Sequence, residues 1–174
     1  MAEFEYTNIY RDRFLEPFRE IFRMEMRSIK MYMDDEYKER GTKWLNLVPL
    51  PEIGNSMRSM GQIRDYSATL RYYQFYKPER NRIWYKVITD MGEKIKRLIG
   101  NHSNFTVKGT WVNENGTWGE TSTVWSVDRD TYCWHNMMVD IDYNPDRSEL
   151  EEAEGKKLAI IEFPITFSHE EVYD

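Results

Sequence analysis

The chain has 174 residues, of which 40% are hydrophobic, 15% aromatic and 31% charged, and its formal net charge is −6. This apolar and aromatic content excludes a disordered protein, and the length fits one domain, residues 1–174, with a single sizeable core. No apolar run approaches the roughly 20 residues of a membrane span, and the charged N-terminus lacks a signal-peptide pattern. We therefore expect a soluble protein that is made in the cytoplasm and contacts no membrane.

A single cysteine, Cys133, excludes an internal disulfide and favours a reducing compartment. The three Asn-X-Ser/Thr sequences, which begin at Asn101, Asn104 and Asn115, are therefore interpreted as accidental and not as glycosylation sites.

Charge is unevenly placed along the chain. Residues 77–100 carry seven Lys or Arg against three acids, whereas residues 140–174 carry three against eleven. The sequence thus predicts a basic helix and an acidic C-terminal segment. The overall acidity disfavours nonspecific binding to duplex DNA.

Pro17 is typical of a first helical turn, so we predict an N-terminal helix over residues 16–39, ended by a glycine. Its apolar residues fall on two faces, and one of these carries Met24, Met26 and Met31. Adaptable methionines are common on partner-facing surfaces, which makes the second face a candidate for subunit contact. A helix that is buried on two sides of the same domain explains the pattern equally well.

The middle of the chain contains a run of aromatic residues. Residues 44–61, which precede it, hold two prolines and two glycines and predict a loop with a short extended piece at 45–50. Residues 63–76 fit both helical and strand spacing. We predict a strand because the run is short, rich in tyrosine and phenylalanine, and closed by Pro78.

Residues 81–99 place their apolar side chains on one helical stripe, and Gly100 stands where a helix commonly ends, so they predict an amphipathic helix. Its basic side chains face DNA, an acidic neighbour such as another copy's C-terminal segment, or only water. We select four of them as a charged docking set: Arg82, Lys86, Lys94 and Arg97.

After this helix the apolar residues recur at every second position, which is the period of a strand. It predicts a hairpin, with strands at 105–112 and 121–127 around Asn115-Gly116. Further strands follow at 131–143 and 157–169, and Pro164 in the last one favours an edge or a bulge. Together the elements predict an α+β fold, with a mainly antiparallel sheet packed against two principal helices.

The sharpest metal motif lies at residues 140–151, where oxygen-bearing side chains recur at the ligand offsets of a calcium loop. That loop needs a glycine at its sixth position, and this chain has Pro145, whose backbone cannot make the left-handed turn. We favour the alternative, a strand that leads into an Asn-Pro turn and a solvated acidic connection. We assign no metal or other cofactor, and keep Asp140, Asp142 and Asp146 only as a candidate set.

His102, His135 and His169 lie far apart and lack the neighbouring Cys or His residues of a zinc site. Cys133 and His135 share one strand face, but no third group completes a nucleophile and base pair. The chain contains no nucleophile elbow and no phosphate-binding loop, so no catalytic residue is assigned.

The aromatic run also admits a single-strand nucleic-acid surface, with rings that stack on bases beside basic phosphate contacts. The alternative is a sheet whose rings pack on the second helix, which strand alternation supports for half of the rings. The residues concerned are Tyr72, Tyr73, Phe75 and Tyr76 with Arg64, Arg71, Lys77 and Arg80.

In order, the elements are an N-terminal helix, a proline-containing loop, the strand RDYSATLRYYQFY, the helix IWYKVITDMGEKIKRLI and a β-meander that closes in AIIEFPITF. This order, over about residues 16–168, resembles that of the tail-terminator and tail-completion proteins of tailed bacteriophages. The resemblance implies a sheet packed against helices. It also implies identical subunits that form a ring, commonly of six, at the junction of tail tube and neck.

We therefore expect a non-enzymatic virion structural protein, a homo-oligomeric ring subunit that contacts other tail or neck proteins and DNA in a channel. Two other classes stay open: a small phage accessory protein that binds and inhibits a host enzyme, and a metal-dependent enzyme that uses the three aspartates above. The residues that we select for subunit contact are Met24, Met26, Met31, Tyr73, Trp111 and Trp118.

Overall fold

The computed structural model describes residues 10–33, 38, 40–58, 61–76, 81–102, 107–108, 126–127, 134–145 and 157–172. It is an α+β fold with a six-stranded, mostly antiparallel sheet, which confirms the predicted fold class. The helices are α1 (Glu16–Glu25), preceded by a wide π-helical turn over Arg11–Leu15, and α2 (Asn81–Asn101). The strands of the sheet are β1 (Met31–Tyr32), β2 (Lys43–Pro49), β3 (Gly54–Arg58), β4 (Gly61–Tyr76), β7 (Trp134–Val139) and β8 (Lys157–Val172); a separate ladder joins β5 (Val107–Lys108) and β6 (Ser126–Val127).

Two long strands form the centre of the sheet. β4 and β8 have 16 residues each and pair antiparallel along their whole length, from Gly61 opposite Val172 to Tyr76 opposite Lys157. β3 pairs with the first half of β4 and β2 with the second half, while β1 joins β2 in parallel and β7 joins β8. The order across the sheet is therefore β1-β2-β4-β8-β7, with β3 beside β4.

The aromatic run is a strand, as predicted, and its side chains alternate between the two faces of the sheet. Tyr66, Leu70 and Tyr72 belong to the main core on the first face, whereas Tyr73 and Phe75 belong to a smaller cluster on the second face. The many rings of this run therefore build both sides of one sheet.

The N-terminal helix packs on the first face through a ladder of rings. Tyr10, Phe14, Phe18 and Phe22 follow one another at four-residue steps, and the successive ring centroids are 5.8, 5.3 and 5.0 Å apart. Phe14 also stacks on Phe167 of β8, with a centroid distance of 3.9 Å. Each fully buried phenylalanine stabilises a fold by about 1.5–3 kcal/mol, so this ladder attaches the helix firmly to the sheet.

Tyr10 also ties the helix to the connection between β2 and β3. Its hydroxyl donates a hydrogen bond to the carbonyl of Ser67 and accepts one from the N–H of Leu50 at 3.2 Å. Burial raises the pKa of this hydroxyl, and the bond from Leu50 offsets part of that rise.

The second face holds a smaller cluster around Trp44, Tyr73 and Ile160, in which the rings of Trp44 and Tyr73 stack at 5.0 Å. Beside it, Arg71 of β4 and Glu162 of β8 stand directly opposite each other, and their Nε and Oε2 atoms are 3.0 Å apart. This ion pair links the two central strands on the face away from the main core.

The N-terminal helix is shorter than the sequence predicts. It begins at Glu16 with Pro17 in its first turn, as predicted, but it ends at Glu25. Met26 leaves helical geometry with φ −125° and ψ 53°, and the chain then turns so that β1 can pair with β2. Gly41, whose φ is 96°, lies just before β2 and supplies the left-handed turn into that strand instead of ending a helix.

The sequence predicts a loop at residues 44–61 with a short extended piece at 45–50. The extended piece is confirmed as most of β2, whereas the loop is wrong at Gly54–Arg58, which form β3. All residues from 44 to 48 are buried, so the strand is covered on both faces and shows no alternation of polar and apolar residues. Pro49 is the last residue of β2 and Pro51 lies in the connection to β3, so both prolines stand outside the interior of a strand.

α2 confirms the predicted amphipathic helix and extends it to Asn101. Its residues Ile88, Ile95 and Ile99 are buried in the main core together with the N-terminal helix. Gly100 is part of the last helical turn, and among the described glycines only Gly41 has a positive φ. The predicted helix end at Gly100 is therefore wrong by one residue, because the helix continues to Asn101.

Pro164 lies in β8, an inner strand between β4 and β7, so the predicted edge position is wrong. Its carbonyl accepts a hydrogen bond from the N–H of Asp140 at 3.1 Å, just beyond the end of β7 at Val139. Proline has no backbone N–H, and the N–H and C=O of a strand residue point the same way. The position where Pro164 lacks a donor therefore faces the end of β7, and the hydrogen bonds between β8 and β4 are unaffected. A bulge does occur nearby, in β7 between His135 and Met138.

The strands predicted at 131–143 and 157–169 are confirmed as β7 and β8. β5 and β6 pair antiparallel, with Val107 opposite Val127, as the predicted hairpin requires. The turn of that hairpin at Asn115-Gly116 and the acidic connection at residues 146–156 lie outside the described residues.

Gly92 of α2 allows the ring of Tyr143 to lie against the helix. A Cβ at position 92 would meet Cε1 and Cζ of that ring at 2.7 and 2.8 Å, whereas a Cβ at Gly100 meets nothing within 4 Å.

Replacement of a helical glycine by alanine normally stabilises by about 0.5–1 kcal/mol. We expect Gly100→Ala to show this gain in denaturant unfolding, and Gly92→Ala to destabilise instead. In a Tyr143→Ala background Gly92→Ala should become stabilising; a stabilising effect in the wild type would contradict the contact.

Tyr10→Phe should lower the free energy of unfolding by about 1 kcal/mol, because it removes both hydrogen bonds of the hydroxyl. The loss is limited because the N–H of Leu50 also donates directly to the carbonyl of Ser67, at 3.3 Å. Folding raises the pKa of Tyr10 above its ordinary value of 10.0, so the stability it contributes is present below about pH 10 and is lost as pH rises through the folded pKa. Denaturant unfolding between pH 7 and 11 should therefore show a smaller alkaline loss in Tyr10→Phe. The exposed Tyr85, changed to Phe, is the matched control.

Candidate docking groove on the helical side

The end of α1 and the C-terminal half of α2 line a groove with a volume of about 600 Å³. Two of its residues, Lys94 and Arg97, belong to the docking set predicted from the sequence. The groove also brings Glu25 from α1 close to acids of α2, a juxtaposition that the sequence does not reveal. The described residues that line it are Glu25, Asp90, Glu93, Lys94, Arg97, Leu98, Asn101 and His102.

One surface of α2 carries charges of both signs, and we call it the α2 stripe. Its members recur at three- and four-residue steps and all are exposed, on the side opposite the buried isoleucines. They are Lys86, Asp90, Glu93, Lys94, Arg97 and Asn101.

The charges of the α2 stripe are not consumed inside the domain. Asp90 and Lys94, like Glu93 and Arg97, have the acid-first, four-residue spacing that favours an ion pair along a helix. Neither pair lies within ion-pair distance, and no charged side chain of the stripe makes a hydrogen bond or ion pair within the described part of the chain. These charges are therefore open to a partner.

A second recess of about 450 Å³ lies at the end of α1 and is lined by Arg23, Met24 and Arg27. The Nε of Arg23 is 2.7 Å from Oε2 of Glu20, and the Nε of Arg27 donates to the carbonyl of Met24 at 3.4 Å. The side chain of Met24 is 42% exposed between these two arginines. Met24 is thus a predicted contact residue that the fold leaves at the surface.

The other predicted contact residues lie elsewhere. Met26 and Tyr73 are 4% and 3% exposed, so their interpretation as surface contacts is corrected: the first packs in the main core and the second on Trp44. Met31 is half-buried against the main core. Trp111 and Trp118 lie outside the described residues. In the docking set, Lys86, Lys94 and Arg97 are exposed, and Arg82 lies in the first turn of α2.

The rings proposed for base stacking do not form an open platform. Tyr72 is buried and its hydroxyl donates to Oε1 of Gln74 at 2.6 Å, while burial raises its pKa. Tyr73 is also buried, and Phe75 and Tyr76 are half-buried. Of the basic residues beside them, Arg71 pairs with Glu162 and Arg64 pairs with Glu52 at 2.9 Å, whereas Lys77 and Arg80 lie outside the described residues.

The predicted calcium-loop aspartates are not arranged as a metal site where the structure describes them. Asp140 and Asp142 are exposed, and Oδ1 of Asp142 accepts a hydrogen bond from the N–H of Asn144 at 2.8 Å, which forms a local turn before Pro145. Asp146 lies outside the described residues. Across the described ranges, no group of three or more His, Cys, Asp or Glu side chains is positioned to hold a metal ion.

Within the described part of the chain, the three histidines do not come together in one site, although β7 and β8 bring His135 opposite Ser168, the residue before His169. His102 lines the groove, His169 is buried in β8, and His135 belongs to β7. Cys133 lies outside the described residues, so the structure does not bear on the thiol and imidazole pair with His135 that the sequence analysis disfavours.

Sequence reasoning missed the exposed apolar side chains beside the edge strand β3. Ile53 and Met57 are 62% and 75% exposed, and Leu50 before them is 38% exposed. Among the described strands β3 pairs with β4 alone. The sequence does not reveal these exposed side chains, because the glycines and prolines of this stretch predict a loop.

No model of a known protein family matches this chain, and no curated protein matches it significantly. Neither described helix combines the length and the apolar character that a membrane crossing demands.

The turn at Asp142 gives a direct test of the metal interpretation. Asp142→Ala removes the acceptor for the N–H of Asn144 and should lower the free energy of unfolding by about 0.5–1.5 kcal/mol, whereas Asp142→Asn keeps an oxygen there and should cost less. Millimolar calcium should leave the Tm of all three proteins unchanged in a thermal melt. A calcium-dependent rise in Tm of the wild type that disappears in Asp140→Ala and Asp142→Ala would support the metal-dependent class instead.

Proposed function

We propose that this protein is a non-enzymatic structural subunit of the tail-terminator or tail-completion type. Its copies assemble into a ring, of about six as is common in the family that the element order resembles. In the virion this ring joins tail to head and contacts other tail or neck proteins. Its function is mechanical, because a ring subunit seals a tube and offers docking faces without chemistry at a reactive centre.

The observation that carries this proposal is the placement of the helices. α1 and α2 both contribute to the core on one face of a six-stranded, mostly antiparallel sheet. This is the arrangement that the resemblance implies, a sheet packed against helices.

Assembly of copies is supported by the edge strand β3. An edge strand offers backbone donors and acceptors to another chain, and soluble proteins usually protect such edges with charges, prolines or a covering segment. Here the strand and the residue before it carry the exposed side chains of Ile53 and Met57. Contact with another copy would cover them.

The test is the mass of the purified protein in solution, measured by light scattering over a range of concentration and salt. We expect a mass near six subunits, or one that rises steeply with concentration. Ile53→Lys with Met57→Lys should reduce the mass without a large loss of stability, because both side chains are exposed in one subunit. Lys43→Ala with Lys157→Ala, at the far end of the sheet, is the control.

A protein that stays monomeric at every concentration, and that retains a host enzyme in a pull-down, would contradict the ring and favour the inhibitor class. A ring seen by negative-stain electron microscopy with the wild type but not with the β3 variant would place the contact at this edge.

A further inference from the structure

No further inference is drawn: the strongest candidate, the groove of about 600 Å³ that the end of α1 and the C-terminal half of α2 line, carries side chains of both charge signs, and nothing in the structure shows what covers it.

Discussion

The antiparallel ladder between β4 and β8 is the constraint on which the rest of the fold depends. The two strands pair over 16 residues. β2, β3 and β7 each pair with one or the other of them, and β1 joins the sheet through β2. Its centre is buried on both faces, with Tyr72 and Ile161 on one side and Tyr73 and Ile160 on the other. A shift of register by one residue would exchange these two sets, so packing on both faces holds the pairing in place.

The two faces of the sheet are unequal. The first face receives the aromatic ladder of the N-terminal helix and the isoleucines of α2, and it holds most of the buried apolar residues. The second face holds the cluster around Trp44 and the pair of Arg71 and Glu162. Because both helices pack on the first face, their outer surfaces and the groove beside them lie on one side of the domain. That is the side on which the charges of the α2 stripe and Met24 are found.

α2 shows how one helix serves the core and a surface together. Its isoleucines are spaced to lie in the core, and the opposite side is left to charged residues that have no partner among the described side chains. The edge at β3 is a different surface. β3 pairs with the first residues of β4, and Tyr76 and Lys157 lie at the other end of the two long strands. The exposed side chains at the β3 edge and those of α2 therefore belong to two different surfaces of the domain.

The sequence by itself determined α2, β7 and β8 from their periods. It determined β4 from its tyrosines and phenylalanine and from the proline after it, because the spacing there fits a helix as well as a strand. These elements suffice for the α+β class. It also placed Lys94 and Arg97 on the exposed side of α2, since the polar side of an amphipathic helix can be recognised from spacing alone, while their role in docking stays a prediction. Only the tertiary structure decided where α1 ends and that β2, of which the sequence predicts only a short extended piece inside a loop, is a full strand of the sheet. The residues after Glu25 pair with β2, which is buried on both faces, and neither long-range pairing nor two-sided burial leaves a periodic signal. For the same reason the sequence could not separate Met24 from Met26: one lies at the surface and the other in the core because the helix ends between them.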